Sequence, residues 1–308
     1  MKFAYGYPFL QCPPNPAFLN GDTIGELGQA AEQASFSAAF FTEHPIPAEK
    51  WRQSGGHDAL DPFVGLSFCA AATSSISLLT NLTVLPYRNP LLLAKSVASL
   101  DVLSGGRVIL GIGTGYLKGE YKALGVDFDE RNDLFDESVE VLRLAWQGEP
   151  FSYEGMHFSV RESTSQPVPA RQPHPPLWLG GNSKLTRRRV AKWGNGWMPM
   201  PNPRALGDRR RSAHLETNDD LREMLAYLHE HMEQEGREDH IDVMYMTFAG
   251  GMVGNPDFNA EQHREAIAEL ADLGVTWIVA NGGGSSREEA LDQIAQYSEE
   301  IIAMIESS

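Results

Sequence analysis

Three short stretches gather most of the residues in this chain that could do chemistry. The first, Thr42-Glu43-His44-Pro45, follows an apolar run and places an imidazole where it could pass a proton, orient a substrate or bond to a cofactor ring. Position alone leaves open a plainer role, a histidine tied to a loop carbonyl. Glu43 points the opposite way along an extended chain, so it orients a neighbour more naturally than it reacts. It is retained with His44 and Tyr116 as a catalytic candidate. The second stretch, Gly113-Thr114-Gly115-Tyr116, lacks the G-x-G-x-x-G spacing of a dinucleotide fingerprint, and its glycines could instead let a flat ring lie against the backbone. The third, Gly180-Gly181-Asn182-Ser183, joins bare backbone to a helix-capping residue. That combination suits an anion gripped by main-chain N–H groups, although any strand-to-helix turn can use glycine.

Other clusters carry less. His229-Glu230-His231 resembles a metal site, but residues two apart on a helix face different directions, and no metal is expected. Arg187-Arg188-Arg189 and Arg209-Arg210-Arg211 read as solvated helix faces, the first one turn past Ser183, where it could attract an acidic cofactor tail. Tyr116, Trp178 and Trp197 read as wall or core residues unless a ring system lies near them.

These stretches fall at the ends of strand-like runs that alternate with helix-like ones, the pattern of parallel βαβ construction. The runs are KFAYGYP, AAFFTEHP, ISLLTNLTVLP, RVILGIGTGY, PLWLGGN, GWMPMP, VMYMTFAGG and VTWIVANGGG. Helices are expected near 22–35, 59–74, 90–104, 130–147, 183–194, 217–235, 259–273 and 286–306. Asn89-Pro90 supplies a cap and first-turn proline, and Gly105-Gly106 a stop. Eight strands favour closure into a (β/α)8 barrel, because an open sheet of that size exposes edges. Residues 148–174, rich in Pro, Ser and Gln, read as an insertion before the fifth strand. One domain spanning 1–308 is the expectation, with reactive groups at the C-terminal ends of the strands. Of the nine histidines, His44 alone falls at such an end.

A net charge of −16 disfavours nucleic-acid and anionic-membrane partners, which leaves small molecules. Cys12 and Cys69 have no disulfide-framework or metal spacing and suit a reducing cytoplasm. The first residues match neither a signal peptide nor a span, so a soluble cytoplasmic protein is expected.

Taken together, FFTEH, LTVLPYRNPLLLAKSVASLDVLSGGRVILGIGTGY, EYKALGVDFDER, PPLWLGGNS and GNGWMP resemble the luciferase-like flavin-dependent oxidoreductases, in particular the branch dependent on coenzyme F420. The spacing from PYRNP to LGIGTG is the most specific part. The resemblance implies a flavin-type ring at the barrel mouth with His44 at its redox edge. Asn81 and Leu82 would press on its back face, through a non-proline cis peptide. Gly113, Thr114, Gly115 and Tyr116 would line the ring or side chain, and Gly180, Gly181, Asn182 and Ser183 would take the phosphate. Glu120 and Arg131 match the family pattern as a supporting ion pair.

Sugar-phosphate dehydrogenases of the superfamily carry an acidic residue where this chain has Tyr116, so their acid/base scheme does not transfer. What remains is hydride transfer with F420. Alternatives are an FMNH2/O2-dependent monooxygenase, served by a separate reductase, and a non-catalytic flavin-binding relative. A homodimer is implied by the same resemblance, and residues 46–58 and 148–174 are expected to form lid and pocket.

Overall fold

A ring of parallel strands dominates the computed structural model, which describes residues 1–9, 12–205 and 212–307. In chain order the strands are β1 (Lys2–Gly6), β2 (Ala38–Phe41), β3 (Ser77–Thr80), β4 (Thr83–Val84), β5 (Val108–Gly113), β6 (Phe151–Glu154), β7 (Ser159–Ser163), β8 (Leu177–Gly180), β9 (Gly196–Met198), β10 (Asp242–Tyr245) and β11 (Trp277–Asn281). The pairing order β3-β2-β1-β11-β10-β9-β8-β5 is closed by β3 against β5, where Leu78 opposes Val108 and Leu79 opposes Ile109. Eight parallel strands therefore form the expected (β/α)8 barrel, with β4 a short extra strand on β5.

The intervening helices are α1 (Gly21–Gln33), α2 (Glu49–Arg52), α3 (Pro62–Ala72), α4 (Pro90–Ser104), α5 (Lys118–Ala123), α6 (Arg131–Ala145), α7 (Lys184–Trp193), α8 (Asn218–Gln234), α9 (Ala260–Asp272), α10 (Arg287–Tyr297) and α11 (Ala303–Glu306). Local chemistry accounts for several ends. Asn89 accepts from the Leu91 and Leu92 amides ahead of Pro90, and Gly105 closes α4 in the left-handed conformation. Thr217 and Asp220 form a reciprocal capping box at the start of α8.

Period-two alternation divides the strand side chains between two apolar clusters. Ala4, Ala38, Phe40, Leu79, Ile109, Trp178, Met198, Met244, Trp277 and Val279 fill the barrel lumen. Phe3, Tyr5, Ala39, Phe41, Leu78, Leu110 and Leu179 face the helices. The strand carrying Phe40 and Phe41 is thus covered on both faces, as its uninterrupted apolar run implies.

The non-proline cis peptide that the resemblance implies lies between Asn81 and Leu82 and splits the run ISLLTNLTVLP into β3, a kink and β4. Two features differ from the sequence expectation. The AAFFTEHP strand stops at Phe41, leaving Thr42–Pro45 in the loop at the mouth. Residues 148–174 contain the antiparallel hairpin β6–β7, which lies on α6: Glu137 accepts from the amides of His157 and Phe158, and Tyr153 donates to Glu140. Its return segment runs to the N-terminal end of the barrel, where the Arg171 amide donates to Asp101 below α4. The return segment is therefore away from the mouth, so the expectation of a pocket from 148–174 fails for that part of the insertion.

Candidate active site

At the end of β2 the chain turns so that consecutive side chains go to opposite sides. Glu43 goes outward, where it accepts from the Val84 amide and from Arg88, whose guanidinium also reaches Asp61. Burial pushes the Glu43 carboxyl up from its ordinary range, against the pull of Arg88. This anchoring of β4 to β2 corrects the placement of Glu43 among the catalytic candidates. Its carboxylate is fully engaged on the far side of the strand from the imidazole.

His44 goes inward and keeps 11% of its side chain exposed. Its Nδ1 lies 3.5 Å from a Glu120 carboxylate oxygen, yet in a geometry that leaves this buried nitrogen without a hydrogen bond. The contact is one of charge, available whenever the ring is protonated. Glu120, 1% exposed, accepts in turn from the Tyr87 hydroxyl at 3.0 Å and from the Ile46 amide at 3.3 Å. Burial, reinforced by the Glu120 charge, holds the Tyr87 hydroxyl well above its usual range, so it stays a donor. The expected Glu120–Arg131 ion pair does not form: Arg131 lies over the Phe128 ring at 3.9 Å and donates to the Phe128 carbonyl. Glu120 rides instead on α5, a single short helix whose first turn aims it at His44.

Aromatic rings surround the imidazole. Trp51 lies 4.5 Å from it, His57 stands edge-on at 4.9 Å, and Tyr116 edge-on at 6.5 Å. His57 shares a hydrogen bond with the Thr42 hydroxyl at 3.0 Å, and burial, then the neighbouring His44, pushes its pKa down to about 4. It is neutral near pH 7. Residues 46–58 thus cover His44, in line with the lid expectation. Trp51 and His57 themselves were not identified in the sequence, where a tryptophan and a histidine inside a Gly- and Ser-bearing loop were the available signal.

The floor of the mouth is Leu82. Its methyl groups lie where a Cβ on Gly113 or Gly180 would sit, at 2.9 Å and 2.3 Å, so both glycines make room for this side chain. Gly115, at φ +63, turns the chain against Val84, and the Thr114 carbonyl accepts from Tyr121.

The end of β8 is more fully engaged than the anion expectation assumed. The Gly181 amide donates to the Met198 carbonyl and the Asn182 amide to the Ser212 hydroxyl. The Asn182 side chain donates to the Met200 and Ala213 carbonyls and accepts from the Met200 amide. Gly181 and Asn182 are therefore occupied with tying β8 to the segment after β9. Ser183 caps α7 through the Thr186 amide, and the first-turn N–H groups of Ser183, Lys184 and Leu185 are the donors left to an anion. Arg187 and Arg189 are each only 5% exposed: the first donates to the Met224 carbonyl, the second pairs with Asp136 and Asn132. A solvated basic face on α7 is thus replaced by buried packing, with Arg188 alone at the surface on Tyr227. Arg209-Arg210-Arg211 lies outside the described residues. His231 is tied to the Tyr227 carbonyl and stacks on that ring at 4.1 Å.

The family model for luciferase-like monooxygenases matches residues 14–249. The chain belongs to this family. Over 180 residues it is 33% identical to the F420-dependent hydroxymycolic acid dehydrogenase of Mycobacterium tuberculosis, covering 58% of this chain and 48% of the relative. Over 175 residues it is 29% identical to the FMNH2-dependent dimethylsulfone monooxygenase of Pseudomonas putida, covering 54% and 46%. The chain spans about half the length of these curated relatives. Among solved structures, monooxygenase RslO1 from Streptomyces bottropensis superposes with a TM-score of 0.82 at 20% identity, covering 99% of this chain and 100% of that one. An F420-dependent secondary alcohol dehydrogenase, solved with an F420–acetone adduct, gives 0.74 at 16% identity with 98% of each chain covered. The luciferase-like family thus has relatives named for F420 and relatives named for FMNH2. Among the described residues no helix is long and apolar enough to cross a membrane.

Proposed function

We propose that this luciferase-like chain is an F420-dependent oxidoreductase acting on a small organic substrate at the C-terminal mouth of the barrel, with His44 handling the proton that accompanies hydride transfer. The observation that carries this reading is the buried, unbonded Nδ1 of His44 beside Glu120. A buried nitrogen without a partner is costly unless something binds there, and this one sits in the mouth. The surroundings suit a planar ring: Leu82 offers an apolar floor, Trp51 and Tyr116 offer aromatic walls, and Ser183 and Lys184 offer N–H donors to a phosphate. Bound there, a deazaflavin would supply or accept a hydride, while the protein orients and dries the site.

The chain's own part is proton handling. The Glu120 carboxylate oxygen, 3.5 Å from Nδ1, stands where a proton on His44 would leave a charge facing a carboxylate rather than alone in a half-buried setting. Tyr87 and the Ile46 amide keep the Glu120 carboxylate in place while that charge comes and goes. Trp51 and His57, uncharged at neutral pH, exclude water from the imidazole without competing for its proton. Reduced FMN with oxygen is the second reading, motivated by similarity of nearly the same extent to the dimethylsulfone enzyme.

The test is to titrate the purified protein and its His44→Ala variant with F420 and with FMN, then follow turnover with and without oxygen. F420 binding by both proteins, with turnover of the variant lowered about 10²- to 10⁴-fold, is the expected outcome. Unchanged turnover in the variant removes His44 from the mechanism. Binding of FMN alone, with oxygen-dependent turnover, selects the second reading. A protein that holds the ring but turns over nothing is the non-catalytic relative.

A further inference from the structure

At the opposite end of the barrel the ends of α6 and α7 and the segments entering β8, β9 and β10 enclose a cleft of about 590 Å³. That is within the range of roughly 300–1,000 Å³ typical of small-molecule sites. Arg143, Arg171, Lys192 and Arg237 line it against one carboxylate, Asp242, in a protein whose net charge is −16. A concentration of positive charge in a concave site, on a molecule that is otherwise strongly acidic, focuses a field that attracts anions.

Helix ends explain only part of this arrangement. Lysine and arginine are favoured in the last turn of a helix, where Arg143 and Lys192 stand. Arg237 is fully engaged: it donates to the Val190, Ala191 and Gly194 carbonyls at the end of α7 and pairs with Asp239. Arg171 lies on the irregular segment before β8, beside Gly106 at the end of α4, and so belongs to neither of the helices that carry Arg143 and Lys192. Among the described residues the side chains of Arg143, Arg171 and Lys192 have no carboxylate partner. Trp193 lines the same cleft, with the Lys192 ammonium 4.5 Å above its ring. His174, also in the wall, is held by the Pro175 carbonyl, and burial pushes its pKa down, with Arg143 acting in the same direction. It adds a neutral polar edge.

We propose that this cleft is a second binding site, for a small polyanion bearing two or more phosphate or carboxylate groups, held by Arg143, Arg171 and Lys192 beside the Trp193 ring. The forked guanidinium donors of two lining arginines suit bidentate contacts to such oxygens, and the lysine supplies a mobile point charge. The site is separate from the mouth, since Pro176 just ahead of β8 and Trp178 near its start line the cleft, whereas Gly180 ends β8 toward the mouth.

The test is calorimetric titration of the full chain with pyrophosphate and, separately, with citrate, at low and moderate salt. One saturable site for at least one anion is expected, weakening with salt. The Arg143→Gln/Arg171→Gln variant should lower the affinity about tenfold or more, while binding of F420 or FMN at the mouth is unchanged. Saturation by pyrophosphate alone assigns phosphate chemistry, and by citrate alone carboxylate chemistry. Lys192→Gln, a single change at an exposed position, gives an independent measure should the double variant melt early. Failure of both anions to saturate overturns the proposal, as does equal affinity in the wild type and the charge variants, which places the anion elsewhere.

Discussion

The ends of β2 and β8 both carry short polar runs that promised chemistry, yet the fold treats them differently. After β8, Gly181, Asn182 and Ser183 all have protein partners, and the Asn182 side chain alone makes three hydrogen bonds. After β2, Glu43 is equally engaged, but His44 is left with a bare nitrogen, a nearby charge and a ring of aromatics. Satisfied polar groups hold strands in register. Unsatisfied ones, placed in a concavity, are where a ligand or a proton has something to gain. Within two consecutive residues, Glu43 and His44, the chain supplies one of each kind.

Substitutions can break or sharpen this contrast. The largest effect on stability should come from Asn182→Ala, which strands the Met200 amide and two carbonyls in a buried setting and should cost about 2–3 kcal/mol in urea unfolding. A variant of unchanged stability that no longer binds cofactor would turn the β8 end from scaffold into ligand site. Glu120→Gln should do the reverse. It keeps volume and both contacts, the amide oxygen accepting from Ile46 and the NH2 donating to a reversed Tyr87 hydroxyl, but removes the charge beside His44, so kcat should fall about tenfold with the unfolding midpoint close to wild type. A lowered midpoint with unaltered kcat would make Glu120 an anchor like Glu43.

The smallest effect concerns His57. An unfolded chain protonates this ring near its ordinary 6.5, whereas the folded protein does so only near 4. Between those values the unfolded state binds more protons, so stability falls as the pH falls, by about 1 kcal/mol over the first unit. His57→Asn should flatten that part of the pH–stability curve. If wild type and variant give parallel curves, His57 is not buried neutral beside His44.

Much of the architecture was legible because it rests on periodicity. The Phe40-Phe41 pair, the Asn89-Pro90 start and the Gly105 stop each have a local physical cause that needs no partner. The break at Asn81-Leu82 within an apolar run had no such marker in composition and came only through family resemblance. The hairpin β6–β7 did carry a signal, the alternation in FSYE, but it was masked by neighbouring Pro, Ser and Gln. In the site, His44 was reached by its place at a strand end. The partners of Glu120 are set by how α5 docks, which no spacing reveals. Arg187 and Arg189 were read as surface because a run of three arginines is usually solvated, whereas Asp136 and the α8 carbonyl that receive them lie far away in sequence.

Leu82 has a consequence for how such a mouth can change. Because one aliphatic side chain occupies the space left by two glycines on separate strands, the depth of the well is governed at a single position rather than by the barrel as a whole. Trading that one residue would raise or lower the base of the well while leaving the surrounding staves untouched.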